Sequence, residues 1–277
     1  MKRVYTFGHE QVERNITVAD MIENKKNNIK MTQVTAANQD EAEILSESNI
    51  DMIITGSDWY QDVRKGAPNT FITAALFAGR FVTHDEILRG AFDVVMSGAD
   101  SVLTPRSFDV IEMLAKEGMQ VQGHVGMVPS MATKYGGIRT VGKTADEAIS
   151  ILKDLKRLEN AGAFGAEVEC VAEDALEEIK KHTNLVLNSL GSGTGGDVIF
   201  LFFEDICGET KSIKKPRHAK SYGDGNSIKK KLKNERLRSI KAFKDDVSSL
   251  NFPSTEFTVN MNKGEKDKLL EKLDNFN

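Results

Sequence analysis

Two glutamates stand two residues apart in Ala166-Glu167-Val168-Glu169-Cys170-Val171, a stretch that otherwise reads as a buried strand. Strand side chains alternate between faces, so Glu167 and Glu169 share one side. A carboxylate in an apolar strand is costly to bury unless it is paired. Such a group serves as a general base or sits in an ion pair with an Arg or Lys, and spacing alone leaves the two readings about even. His124 ends another apolar run, in Gly123-His124-Val125-Gly126. Flanking glycines permit a tight turn or a close approach of backbone to ligand, and a histidine there is either structural or a proton carrier. His9, His84, His182 and His218 show no metal-ligand spacing. In the glycine-rich loop 191–196, successive N–H groups can turn toward an anion. The same loop also reads as an ordinary tight connection from strand to helix. No Gly-Lys-Ser/Thr follows it, so it is not a nucleotide-binding P-loop.

These groups must be held by a scaffold, and the sequence offers one. Short apolar runs, many rich in Val and Ile, fall at 31–37, 51–55, 70–75, 101–104, 119–124, 166–171, 185–189 and 198–203. They are largely unalternating, which is how strands buried on both faces read. Amphipathic stretches lie between them, at 40–48, 83–97, 107–117, 144–160 and 173–181. Thr83 with Glu86 and Thr144 with Glu147 have capping-box spacing. Eight strands with intervening helices predict an α/β fold, a (β/α)8 barrel with an N-terminal helix; an open doubly wound sheet is the alternative. No helix is evident after the seventh strand. The last third turns basic and charged. Lys211, Lys214, Lys215 and Arg217 precede a long helix expected over 227–250 and a shorter one over 262–276 capped by Asn262. The domain reading is one barrel over 1–277, with residues 226–277 as a helical extension packed on it. Lys229-Lys230-Lys231 is a polyanion contact or, more simply, a solvated helix face.

The 277 residues carry 40% hydrophobic and 28% charged side chains, a balance able to build a core rather than a disordered chain. A net charge of −4 supplies no global field for nucleic acid. Cys170 and Cys207 alone give no disulfide framework. No apolar run follows the first residues as in a secretory signal, and none is long enough to span a bilayer. The expectation is therefore a cytoplasmic protein with a small-molecule ligand and no nucleic-acid or membrane partner.

Several ungapped motifs then converge. Gln122-Gly123-His124-Val125-Gly126-Met127-Val128-Pro129, followed by Tyr135-Gly136-Gly137-Ile138-Arg139-Thr140-Val141-Gly142-Lys143-Thr144, strongly resembles ketopantoate hydroxymethyltransferase. Lys65-Gly66-Ala67-Pro68-Asn69, Leu158-Glu159-Asn160-Ala161-Gly162-Ala163, Glu169-Cys170-Val171 and Pro216-Arg217-His218-Ala219-Lys220 add to the match in the same order. The resemblance implies a barrel of the phosphoenolpyruvate mutase and isocitrate lyase type, assembled as a homo-oligomer, a decamer. It implies a transferase of pantothenate biosynthesis acting on a 2-oxo acid, 3-methyl-2-oxobutanoate. By the same resemblance, an enolate held by Mg²⁺ is expected to attack the methylene of methylenetetrahydrofolate. Glu169 falls on the family's general base and His124 on a substrate-pocket histidine.

The family's metal positions read differently. Its Gly-Asp-Ser is Gly56-Ser57-Asp58 here, so its aspartate falls on Ser57 with Asp58 as the nearby carboxylate. Its Ala-Asp-Leu-Pro-Phe is Ala74-Ala75-Leu76-Phe77-Ala78, and its Val-Lys-Ile-Glu is Val102-Leu103-Thr104-Pro105, so two further acidic positions fall on Ala75 and Pro105. The expected substrate contacts are Ser57, Asp58, His124 and Arg106, the last in place of the lost lysine. Three readings follow. One is hydroxymethyl transfer with a remodelled metal site. Another is different enolate chemistry without metal, drawing on Arg106, Arg80 and backbone amides near Ser57. The third is a non-enzyme: a lapsed paralogue that binds a metabolite, or a structural subunit in a mixed ring.

Overall fold

The computed structural model describes residues 1–77, 79–211 and 215–276. Ala78 of the third-strand motif and Lys214 of the basic stretch lie outside the described residues. Two compact units divide the chain, Met1–Gly223 and Asp224–Asn277.

The first unit opens with an antiparallel hairpin, β1 (Lys2–Tyr5) and β2 (Gln11–Arg14), and helix α1 (Val18–Lys26). Eight parallel strands then close into a barrel: β3 (Met31–Thr35), β4 (Met52–Gly56), β5 (Phe71–Ala75), β6 (Ser101–Leu103), β7 (Val121–Gly126), β8 (Gly165–Glu169), β9 (Val186–Leu190) and β10 (Val198–Leu201). Closure, with β10 pairing both β9 and β3, excludes the open-sheet alternative. Between the strands run α2 (Gln39–Glu47), α3 (Tyr60–Gly66), α4 (His84–Met96), α5 (Phe108–Lys116), α6 (Ala145–Asn160) and α7 (Glu173–Ile179), and β10 is followed by the short α8 (Phe203–Ile206). Only a single 3₁₀ turn, Gly193–Gly195, links β9 to β10, as the missing helical pattern there predicts. The capping box forms at Thr83 with Glu86. At Thr144 the hydroxyl caps Glu147 N, but the Glu147 carboxylate turns to Lys143 N and Arg139 instead.

Each strand divides its side chains between two cores. One set, including Val34, Ile53, Ile72, Val102, Val121, Val168 and Leu187, packs against Leu45, Ile87, Ile111, Leu114 and Leu155 of the helices. The other set fills the barrel in layers. Met31, Met52, Phe71, Val186 and Val198 make the floor, which Ile16 and Met21 extend toward α1. Above it runs a hydrogen-bonded belt. Asn188 Nδ2 donates to Gln33 Oε1 at 3.0 Å and to Gln122 Oε1 at 2.9 Å. Gln122 Nε2 donates to Thr73 Oγ1 at 3.2 Å, and Thr73 meets Ser101 Oγ at 2.8 Å. Most of these polar groups are tolerable inside a barrel because they satisfy one another; Gln33 Nε2 is the exception, buried without a partner among the described residues. Ile54, Ala75, Leu103, Leu190 and Phe200, with Phe202, line the upper interior.

The hairpin is tied down by charge at β2 and by Phe7 of its turn, which packs edge-on against Phe92 at 5.5 Å. Buried Arg14 donates to Asp100 at 2.6 Å, and Arg64 takes the other carboxylate oxygen at 2.7 Å. The second unit holds α9 (Gly225–Ser248) and α10 (Glu265–Asp274). Asn262 is not the cap of α10; Gly264, in a left-handed conformation at φ 81°, occupies that position. Among the described residues, no helix is long and apolar enough to cross a membrane.

Candidate active site

The C-terminal ends of the strands form the rim where barrel enzymes place their chemistry. On that rim β7 and β8 bring three titratable side chains together. The register sets His124 beside Glu167 and Gly126 beside Glu169. His124 and both glutamates therefore project on the same side, above the polar belt. His124 Nε2 lies 3.0 Å from Glu169 Oε2 and 3.7 Å from Glu167 Oε1. The first is a charge-assisted hydrogen bond when the imidazole is protonated, and the second is a Coulombic contact. Glu167 is nearly enclosed, whereas Glu169 at the strand end is the more accessible carboxylate, its side chain 17% exposed.

The electrostatics of the trio pull in two directions. Burial opposes the charge on His124, but the hydrogen bond to Glu169 and the negative charges of Glu167 and Glu169 outweigh it. They hold the imidazole above the usual histidine value. Burial pushes the Glu167 carboxyl up; His124 pulls it back and the Glu169 charge pushes it up again, leaving it raised.

The backbone around Glu169 is shaped for this placement. Gly126 has φ +87°, and a Cβ there would stand 2.4 Å from the Glu169 carbonyl oxygen. Only glycine lets β7 come this close, where Met127 N donates to the same carbonyl at 2.7 Å. Cys170, immediately after Glu169, takes φ +49°, a sparsely populated conformation for a residue with a side chain. Ser192 fixes the turn, accepting from Val171 N at 2.8 Å and donating to Val168 O at 2.9 Å.

The other expected contacts do not join this cluster. Asp58 is exposed and ion-paired with Arg80. Arg106 donates to the Phe81 and Val82 carbonyls and so pins the segment after β5. Ser57 keeps a buried hydroxyl without a hydrogen-bond partner among the described residues. Glu167 is the member whose part sequence reasoning missed. Its shared face with Glu169 was visible, but its contact with His124 follows from the β7–β8 register.

The positions where the resemblance puts Mg²⁺ do not fit that ion. Ala75 contributes a buried methyl group and Pro105 no side-chain oxygen, leaving the single Ser57 hydroxyl. Mg²⁺ demands near-octahedral oxygen coordination, normally with one or two carboxylates. The groups that could surround a cation are instead His124, Glu167 and Glu169, each offering one ligand atom within 4.8 Å of the others. A nitrogen in the set suits a transition ion better than Mg²⁺. Such an ion would engage the same Glu169 carboxylate that bonds His124.

Fold and site together define a (β/α)8 barrel with a histidine–carboxylate cluster at its catalytic rim. The sequence profile of the ketopantoate hydroxymethyltransferase family matches residues 57–255. The 3-methyl-2-oxobutanoate hydroxymethyltransferase of Thermosipho melanesiensis is 29% identical over 254 residues, covering 83% of this chain and 93% of that protein. The one from Cenarchaeum symbiosum is 33% identical over 187 residues, covering 66% and 68%. Among solved structures, a putative phosphonomutase from Burkholderia cenocepacia J2315 aligns with a TM-score of 0.55 at 11% identity, over 81% of this chain and 99% of that one. A phosphonopyruvate hydrolase in complex with oxalate and Mg²⁺ aligns at 0.51 and 9% identity, over 94% and 98%. At such identities these two likenesses show the barrel fold alone. The chain belongs to the ketopantoate hydroxymethyltransferase family.

Proposed function

We propose that this chain removes a proton from the carbon beside the carbonyl of a 2-oxo acid. It then joins that carbon to a one-carbon unit, converting 3-methyl-2-oxobutanoate to ketopantoate with methylenetetrahydrofolate as donor. One observation carries the reading. Glu169 stands at the barrel rim, its carboxylate oriented by His124 at 3.0 Å. Glu169 accepts the substrate proton, and the C–H electron pair becomes the enolate. As Glu169 is neutralised, the imidazolium beside it remains as the positive charge next to the developing oxyanion. Water releases the donor methylene at the formaldehyde level: both of its bonds to nitrogen break, each nitrogen keeps its electron pair and takes a proton, and the water oxygen stays on the carbon. The enolate carbon adds to that carbonyl carbon, and its oxygen takes the proton held by Glu169 to become the hydroxymethyl group. Divalent-metal stabilisation of the enolate is the family's expectation, but Ala75 and Pro105 remove its usual ligands, and no step here passes through a metal.

Two measurements test this. Incubation of 3-methyl-2-oxobutanoate with the protein in D₂O exchanges the hydrogen at the carbon next to the carbonyl, read by ¹H NMR. Addition of methylenetetrahydrofolate yields ketopantoate. Exchange without product would keep the proton-transfer half and remove the one-carbon half. Absence of both, with a 2-oxo acid bound, would identify a lapsed, metabolite-binding member.

A further inference from the structure

Near the histidine–carboxylate cluster lies a cavity that the proton transfer does not use. It measures about 460 Å³ and is lined by Thr140, Lys143, Glu173, Gly191, Arg217 and His218, with Val171 and Gly193 at its wall. Val171 is two residues beyond Glu169, and Gly191 directly follows Leu190, the ladder partner of Glu169. The cavity therefore borders the reacting centre at the same strand ends.

Its chemistry is that of an anion site. Lys143 and Arg217 bring two cations to it, and no carboxylate pairs with either among the described residues; Arg217 Nη2 reaches only the Thr140 hydroxyl, at 3.4 Å. The one acidic lining residue, Glu173, is already engaged, accepting from Thr194 N and Thr194 Oγ1, each at 2.9 Å. Glycine is required where the wall closes in. Gly191 has φ +66°, and a Cβ there would meet the His218 ring at 2.6 Å; Gly193 has φ +73°, with the Glu173 side chain at 2.5 Å. The glycine-rich loop and the Pro-Arg-His-Ala-Lys and Gly-Lys-Thr motifs, scattered in sequence, thus meet in one place. One guanidinium and one ammonium group, neither paired with a carboxylate among the described residues, beside a hydroxyl and a glycine turn favour a carboxylate or phosphate.

We propose that this cavity binds the carboxylate-bearing glutamyl tail of the one-carbon donor, placing its methylene toward Glu169. The proposal rests on the function argued above. Its test therefore separates binding from turnover. Binding of tetrahydrofolate, of tetrahydropteroate (which lacks the glutamate) and of inorganic phosphate is measured by titration calorimetry with the wild-type chain and with Arg217→Gln/Lys143→Gln. The expected result is wild-type binding of tetrahydrofolate that weakens with added salt, and a loss of about tenfold or more in the double variant. Tetrahydropteroate is expected to bind equally weakly to both chains. In turnover, the donor KM rises by the same factor, while the KM for the 2-oxo acid stays put. Equal tetrahydrofolate affinity in both chains overturns the proposal, as does phosphate binding without any tetrahydrofolate binding. Donor-free exchange into the 2-oxo acid reads the other proposal separately: its absence in a wild-type chain that still binds tetrahydrofolate through Arg217 and Lys143 overturns the proton-transfer reading alone.

Discussion

Replacing Glu169 by Gln is the sharpest test of the proton-transfer reading, because the amide keeps the shape and loses the base. Its side chain still reaches His124, now through a neutral hydrogen bond in place of the 3.0 Å charge-assisted one. Charged hydrogen bonds contribute about 1.5–3 kcal/mol and neutral ones about 0.5–1.5, so the exchange costs on the order of 1–2 kcal/mol of stability. For a barrel of this size that is a fall of roughly 2–8 °C in melting temperature, leaving the protein folded at 25 °C. A positioned general base contributes about 10²–10⁴ in rate. Deuterium incorporation into 3-methyl-2-oxobutanoate should fall by that factor, with 2-oxo acid affinity little changed. The histidine responds as well. With one of its two anionic neighbours gone, burial gains ground, and the His124 titration followed by NMR moves down. Exchange by a folded Glu169→Gln chain within about threefold of wild type, far short of the loss expected for a base, would refute the argument.

Other expectations follow from the same geometry. The Glu167 carboxyl is raised above its ordinary value near 4.5, so its contribution to stability is present below that pH and lost as pH rises through the folded-state value. Glu167→Gln cannot ionise; denaturation curves should match wild type near pH 4 and show the variant gaining as pH rises. A variant that loses ground toward alkaline pH would show that the ionised pair with His124 stabilises instead. Chelation of Mg²⁺ should leave deuterium exchange intact, while Zn²⁺ should inhibit by drawing His124, Glu167 and Glu169 together; Mg²⁺-dependent exchange would contradict the reading of Ser57, Ala75 and Pro105. Gly126→Ala places a methyl against the Glu169 carbonyl at positive φ, costing about 2–4 kcal/mol by thermal denaturation and displacing the base enough to slow exchange; a silent substitution would mean that the β7–β8 contact is softer than described.

Much of the barrel could be read from composition because its strands are buried on both faces. Runs such as Met52-Ile53-Ile54 and Val186-Leu187 carry almost no competing pattern. The ends shifted where tertiary pairing rules. The run expected to close at His124 continues to Gly126, because β8 supplies a ladder partner in Glu169. The N-terminal hairpin escaped notice since its residues are charged and mostly exposed, and its charged anchor is the Arg14–Asp100 pair formed 86 residues apart. Helix α3 is short and ends in Lys65-Gly66, which reads as a turn. In the candidate site, strand alternation was enough to put Glu167 and Glu169 on one face. It could not bring His124 between them, nor show that Asp58 and Arg106 are already held by Arg80 and by the Phe81 and Val82 carbonyls.

The upper barrel is lopsided: His124, Glu167 and Glu169 occupy β7 and β8, while Ile54, Ala75, Leu103, Leu190 and Phe200 cover the interior around them. On the proton-transfer reading, a flat enolate resting on that greasy arc shows a single side to this trio. Hydrogen should leave and return by the same door. A straight-chain 2-oxo acid labelled in heavy water would then carry its first deuterium with one handedness, a chiral imprint of how unevenly the staves are furnished.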